Sequence, residues 1–376
     1  MGMEVLMTRS ITLAVALVAV LASPGFAAKI RVPSDFPTLQ EAVDNAAAGD
    51  TIEFSGTRNE FVRISESADL AITGKGGATI KAPAGQHGIE IVDSTRITIR
   101  GVRLEDGDRG VLIRGSTDVV VERCKFKNTG GTSIDARAST NVTVSRCRVE
   151  NSGAEGIAFG ATDGSEPVTT GLITRCVIRN TVQEGIRVVG TDIVVSRCSA
   201  DSTGDDGFDA SRSVFSARIR FERCRSTRSE DEAFRTDIPG TEFVKCFAAF
   251  ADEEGFDVQA SDGLVERCKT RDCRRGIEIQ NATGGSVLKC KISRPRQIGI
   301  FVTNSTGVRV EKCSVVKAGE NGVEVDFDST GNTFIRTKAR KSGDVDLRDE
   351  TGGSTNTYER SSFKTEDFSV PQVVQN

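Results

Sequence analysis

Nine of the ten cysteines fall at nearly regular intervals: Cys124, Cys147, Cys176, Cys198, Cys224, Cys246, Cys268, Cys290 and Cys313. The successive steps are 23, 29, 22, 26, 22, 22, 22 and 23 residues. A unit of this size cannot bury a core alone, so a fixed repeat of it describes one coil of a solenoid stacked on its neighbours. A second column keeps step with the first. Each copy is a glycine, an apolar residue, a variable one and another apolar one, as in Gly185-Ile186-Arg187-Val188, Gly207-Phe208-Asp209-Ala210 and Gly255-Phe256-Asp257-Val258. With the variants beginning at Ser133, Ala233 and Asp344, the count from Gly88 onward is twelve coils. Alternation of period two predicts strands with one face inward. A further alternating run surrounds each cysteine, as in Val142-x-Val144-x-x-Cys147-x-Val149. Two or three short strands per coil make an all-β, parallel β-helix solenoid, and twelve coils span roughly 55 Å.

The ends read differently. Thr38-Leu39-Gln40-Glu41 is a capping box, and Leu39, Ala42, Val43 and Ala46 share one helical face. The spacing predicts a helix over 38–47 that plugs the N-terminal end, where an exposed strand edge would otherwise recruit other chains. Before it, Arg9, the apolar run Ile11 to Ala22 and the small residues Ser23 to Ala28 have the form of an export signal over 1–28. The expected layout is a β-helix over 29–358 and a polar tail over 359–376, in a secreted or periplasmic protein. The net charge is −4, which excludes a chain-wide nucleic-acid surface. There is no Trp and one Tyr (Tyr358), which argues against a broad aromatic sugar-stacking platform, and the single histidine, His87, excludes most Ser-His and His-rich metal chemistries.

Val32-Pro33-Ser34-Asp35-Phe36-Pro37-Thr38-Leu39-Gln40-Glu41-Ala42-Val43, followed by Ala48-Gly49-Asp50-Thr51-Ile52, resembles the opening segment of pectin-lyase-like right-handed β-helix proteins. The resemblance covers nearly the whole chain after the signal. It implies a right-handed helix and a secreted or periplasmic protein that acts on acidic polysaccharides. The fold also carries adhesins and phage spikes, so it does not by itself fix a function.

The ladder cysteines each precede an apolar position and are expected to point inward. Equivalent residues one coil apart lie about 4.8 Å apart, within the Cα window for a disulfide. Their parallel Cβ vectors keep the sulfurs from bonding geometry, which favours a stack of free thiols acting as small hydrophobes. Export to an oxidising compartment argues for bridges instead. Cys273 falls off the ladder. Asn128, Asn151 and Asn180 each follow a cysteine by four and read as an asparagine ladder at a turn.

The variable residue of each Gly-led strand faces outward. In order these are Glu90, Leu112, Asp135, Ala158, Arg187, Asp209, Arg235, Asp257, Glu278, Phe301, Glu324 and Asp346. The residue before each glycine is acidic over the middle coils: Glu155, Glu184, Asp206, Glu232, Glu254. Carboxylates thus crowd onto one strip. One reading is a solvated salt-bridge ladder on a non-catalytic scaffold. The other is a Ca²⁺ site, because several carboxylates from adjacent coils suit a hard cation. Asp205-Asp206-Gly207-Phe208-Asp209 is similar to the calcium-binding stretch of family-9 pectate lyases, which implies Glu184, Asp205, Asp206 and Asp209 as ligands. The same resemblance puts Arg235 in the column of the catalytic base, where that family has a lysine. Arg187 would pair with a substrate carboxylate and Asp257 would also meet substrate. The expected partner is then an acidic polysaccharide, cleaved by β-elimination. The insertions at Ala161–Thr170 and Ser211–Ala217, the second carrying Phe215, flank this strip.

Overall fold

The computed structural model describes residues 27–161, 163, 165–211, 216–352 and 355–368. Residues 1–26 of the expected signal, and Phe215, lie outside them. Each coil holds three short strands, as in Ile134–Arg137, Thr140–Ser145 and Arg148–Ser152. Each strand pairs in parallel with its counterpart one coil away. The Gly-led strands form a 14-stranded sheet, and the two strand stacks flanking the cysteine corner form a 26-stranded one. The cross-section is a triangle, with the cysteine corner as the vertex opposite the smaller sheet. Among the described residues no helix is long and apolar enough to cross a membrane.

The glycine column exists because there is no room for anything larger. A Cβ on Gly185 would lie 2.6 Å from the Ala200 methyl, and one on Gly276 2.5 Å from Ile292. The two walls touch at that line and fix where each Gly-led strand begins.

Fourteen strands in the smaller sheet give fourteen turns, two more than the repeat count. The extra ones are Val62–Ser65, ahead of the first Gly-led copy, and Glu366–Asp367, which pairs with Leu347–Asp349. Neither carries the glycine or the cysteine that marked the rest. The solenoid thus runs on past Tyr358 into the segment expected to be a tail. Register also corrects the last position of the outward column. Glu324 faces Arg348, and Asp346 lies two residues earlier, buried.

The N-terminal helix is Leu39–Asp44, shorter than expected, with Leu39, Ala42 and Val43 buried. Thr38 caps it by accepting from the Glu41 amide at 3.1 Å, and the Glu60 carboxylate accepts from the Leu39 and Gln40 amides. Gln40 does the plugging. Its carboxamide accepts from the Arg63 N–H at 2.7 Å and donates to the Arg63 carbonyl at 3.1 Å. One side-chain amide thereby stands in for the peptide unit of a missing strand at the free edge.

Like residues stack on like throughout the core. Phe208, Phe234 and Phe256 stack at 4.8 and 4.7 Å, and Phe221 on Phe243 at 5.1 Å. The two stacks meet edge to face, as in Phe234–Phe243 at 5.8 Å. At the turn after the cysteine corner, Asn151 donates to Asn128 at 3.0 Å and Asn180 to Asn151 at 3.1 Å, all three with positive φ. The asparagine ladder is present.

All ten cysteines are free and buried. Each ladder thiol lies within hydrogen-bonding reach of two carbonyls, one two residues earlier and one on the preceding coil. For Cys268 these are Glu266 at 3.4 Å and Phe243 at 3.3 Å. Where the cysteines end, Thr337 and Ser361 make the same pair of bonds with hydroxyls. The corner therefore selects a small side chain with a weak donor, which a thiol supplies at little desolvation cost. Cys273 belongs to the next corner, where it follows Ser229 and Ala251 in a column of small inward residues that begins at Thr129.

Two outcomes test this. A thiol titration of the denatured, unreduced protein should return ten free thiols; a count near zero would contradict the stack. Gln40→Leu should cost about 1 kcal/mol and speed hydrogen exchange at the Arg63 amide while leaving the Ile186 amide unchanged.

Candidate functional site

The strip before and along the Gly-led strands is not a solvated surface. Glu155, Glu184, Asp206, Asp209, Glu254 and Asp257 are all under a tenth exposed, and Arg187 is 1% exposed. Stacked neighbours lie across one another and shut out water. Buried charge of this density is costly unless it is paired.

At both ends of the strip it is paired. Asp135 accepts from Arg109 and Arg137, each at 2.8 Å. Arg187 donates through Nε and Nη2 to Glu155 Oε1 at 2.9 and 2.6 Å, and Thr132 donates to the other oxygen. Further along, Arg274 and Arg275 meet Glu254 at 3.0 and 3.3 Å, and Arg275 also meets Glu278 at 2.5 Å. The expected salt-bridge ladder is real there.

In the middle it stops. Glu184, Asp205, Asp206, Asp231 and Glu232 form no ion pair among the described residues, and neither does Arg235. Turn chemistry fixes these groups in place. The Thr203 hydroxyl donates to the Asp205 carbonyl at 3.0 Å, as Thr181 does to Gln183 at 2.7 Å. Asp206 Oδ1 then accepts from the Glu232 amide of the next coil at 3.0 Å. Asp206 and Glu232 thus lie side by side on adjacent coils. Burial raises both, Asp206 well above the carboxylate range and Glu232 to about 7. Burial, with Asp209 and Glu155 nearby, pushes Glu184 to about 7. Arg235 sits beside them with its Nε buried and without a partner, as is Glu232 Oε2. Burial works against its charge, but Asp206, Glu232, Asp209 and Asp257 outweigh that and hold its proton more firmly than usual.

The sequence-derived set divides accordingly. Asp205 and Asp206 do come together, and with Asp231 they offer carboxylate oxygens all within 4.8 Å of one another. Glu184 and Asp209 stand outside that group. Asp209 instead accepts from the Ser211 hydroxyl at 2.8 Å. Arg187 does not reach a substrate, because Glu155 holds it in the interior. Asp257 is likewise engaged, accepting from Gln259 at 2.5 Å and Gln280 at 3.1 Å. Asp231 and Glu232 were missed as members of the site, though adding the 26-residue step to Asp205 and Asp206 points to both. Three hard oxygen donors at this spacing fit a divalent cation such as Ca²⁺, and the unpartnered Glu232 oxygen is a further acceptor alongside.

The sequence matches the right-handed β-helix region family over residues 47–193 and 237–363, and the chain belongs to that family. The unmatched stretch, 194–236, holds Asp205, Asp206, Asp231, Glu232 and Arg235. No curated protein matches by sequence. Among solved structures, the A-module of a mannuronan C-5 epimerase from Azotobacter vinelandii superposes with a TM-score of 0.59 at 14% identity, covering 85% of this chain and 93% of that one. A bacteriophage CBA120 tailspike protein gives 0.62 at 12%, covering 86% and 58%. The catalytic unit of an α-1,3-glucanase from Streptomyces thermodiastaticus gives 0.51 at 11%, covering 87% and 66%. These likenesses concern the fold.

The raised carboxyls set a pH dependence. Groups whose folded pKa exceeds the unfolded value bind more protons in the native state, so stability falls as pH rises through the folded value. In chelator, the melting temperature should fall between about pH 5 and pH 8, the span from the ordinary glutamate range to just above 7. Millimolar Ca²⁺ should reverse the fall at the upper end; a flat profile would contradict the unpaired cluster.

Proposed function

We propose that this right-handed β-helix protein binds an acidic polysaccharide across the middle of the strip and cleaves it by Ca²⁺-dependent β-elimination. One observation carries the reading. On three adjacent coils Glu184, Asp205, Asp206, Asp231 and Glu232 form no ion pair among the described residues, and Arg235 beside them forms none there either, in a strip paired at both ends. Similarity to the mannuronan epimerase, the glucanase and the tailspike supports a polysaccharide as the ligand.

Asp205, Asp206 and Asp231 would hold the cation, and Glu184 and Asp209 would supply negative field behind them. A bound Ca²⁺ would acidify the C–H bond next to a uronate carboxylate. Arg235, too firmly protonated to act as the base implied by the pectate-lyase resemblance, instead pairs with that carboxylate. Glu232, near neutrality, takes the proton. The electron pair left on carbon forms a double bond to its neighbour as the glycosidic carbon–oxygen bond breaks. The leaving oxygen then acquires a proton from water, and the hydroxide left behind takes the abstracted proton back from Glu232. The paired ends of the strip favour a second reading, a scaffold whose charges are purely structural.

Incubation with polygalacturonate and with alginate, in Ca²⁺ and in chelator, should give the ultraviolet absorbance of an unsaturated product only with Ca²⁺. Glu232→Gln and Arg235→Gln should each lower kcat/KM by roughly 100-fold or more. Silence on both glycans, with no calcium-linked change in melting temperature, would establish the scaffold.

A further inference from the structure

A second charged feature runs along the vertex opposite the strip. The residue before each corner position is basic in eleven successive coils: Arg123, Arg146, Arg175, Arg197, Arg223, Lys245, Arg267, Lys289, Lys312, Arg336 and Arg360. All eleven are exposed and all have φ between 50° and 58°. A left-handed conformation favours Gly, Asn or Asp, not Arg or Lys. The chain shows that it can follow this preference. The positive-φ column one turn later runs Asn128, Asn151, Asn180, Ser202, Arg228, Phe250 and onward without a common charge. Backbone geometry therefore does not account for an unbroken basic column, and like charges about 4.8 Å apart repel.

Neighbouring glutamates offset part of it. Glu122 meets Arg123 and Arg146, Glu222 meets Arg223, Glu266 meets Arg267 and Lys289, and Glu311 meets Lys312. Arg175 and Arg197 make no ion pair among the described residues. In their coils the position of the glutamate is taken by Thr174 and Ser196, whose hydroxyls bond to each other at 2.9 Å. These residues line an open groove of about 490 Å³ running from Thr143 to Arg223, with Leu172 exposed in its floor. Guanidinium groups in single file, hydroxyls between them and a small apolar contact suit a straight chain of sugars with a carboxylate or sulfate on each unit. The groove has no aromatic side chain on which a base could stack. A DNA duplex, with its helical charge, would meet a straight ridge over only a short arc.

We infer that this ridge, centred on Arg175 and Arg197, is a second binding site for a linear anionic polysaccharide, separate from the strip. The inference rests on the polysaccharide reading above for the class of its ligand but not for any chemistry. It gives the protein two faces for one kind of polymer, one to hold it and one to act on it.

The test is equilibrium binding of the whole protein to polygalacturonate oligomers at several salt concentrations. Arg175→Asn with Arg197→Asn should weaken binding at least about tenfold and reduce the salt slope by about two. Asn suits the left-handed turn, so the melting temperature should not fall and a loss of binding cannot be ascribed to misfolding. Turnover of short oligomers should be unchanged. Arg235→Gln should do the reverse, losing turnover while retaining salt-dependent binding. If wild type shows no turnover but the ridge variant still loses affinity, the strip reading fails and this one stands. Unchanged affinity and slope in the ridge variant, no binding of the glycan by wild type, or equal affinity for a short duplex DNA would overturn it.

Discussion

Parallel, in-register stacking governs this molecule. Each residue sits about 4.8 Å above its equivalent in the next coil, so whatever occupies a column must tolerate copies of itself. Phenylalanine gains from that arrangement, asparagine hydrogen-bonds to itself, and a thiol finds the same two carbonyls at every level. Charge alone suffers. A column of carboxylates has to be interleaved with guanidinium groups or pay in protonation. The chain does the first at the ends of the strip and the second at its centre, where burial raises Asp206 and Glu232 above the usual carboxylate range.

Such stacking also explains what the sequence discloses. Columns repeat in space only if they repeat in the chain, so Cys124 to Cys313 and the Gly-led motifs announced coil, strand and inward face together. The turns at Val62–Ser65 and Glu366–Asp367 stayed hidden because end coils face a cap or a terminus on one side and need neither marker. Gln40 was legible as a helix residue but not as a surrogate peptide, since that role depends on which strand edge lies opposite.

The site was half legible for a related reason. Asp205 and Asp206 were visible as a doublet, whereas Asp231 joins them only through the register across an irregular 26-residue step. Burial was the larger surprise. An outward-facing residue in a flat sheet would be wet, and Arg187 was expected to be available. In a stack its long side chain lies along the helix axis instead and meets Glu155, 32 residues earlier. Outward in the pattern of alternation did not mean accessible.

The phenylalanine stacks lie directly beneath the repelling carboxylates: Phe208 and Phe234 alternate in sequence with Asp209 and Arg235. A solenoid is held by contacts between adjacent coils alone, so a repulsive surface would make these coils the seam at which the rod parts. Aromatic pairs worth about 0.5–1.5 kcal/mol each beyond their buried area reinforce that seam from within. The interior acts there as ballast, letting the outer face carry a frustrated charge arrangement that a plain aliphatic filling would hold less firmly. Tolerance for unpaired charge at one level of the rod is thus set by what fills it a few ångströms below.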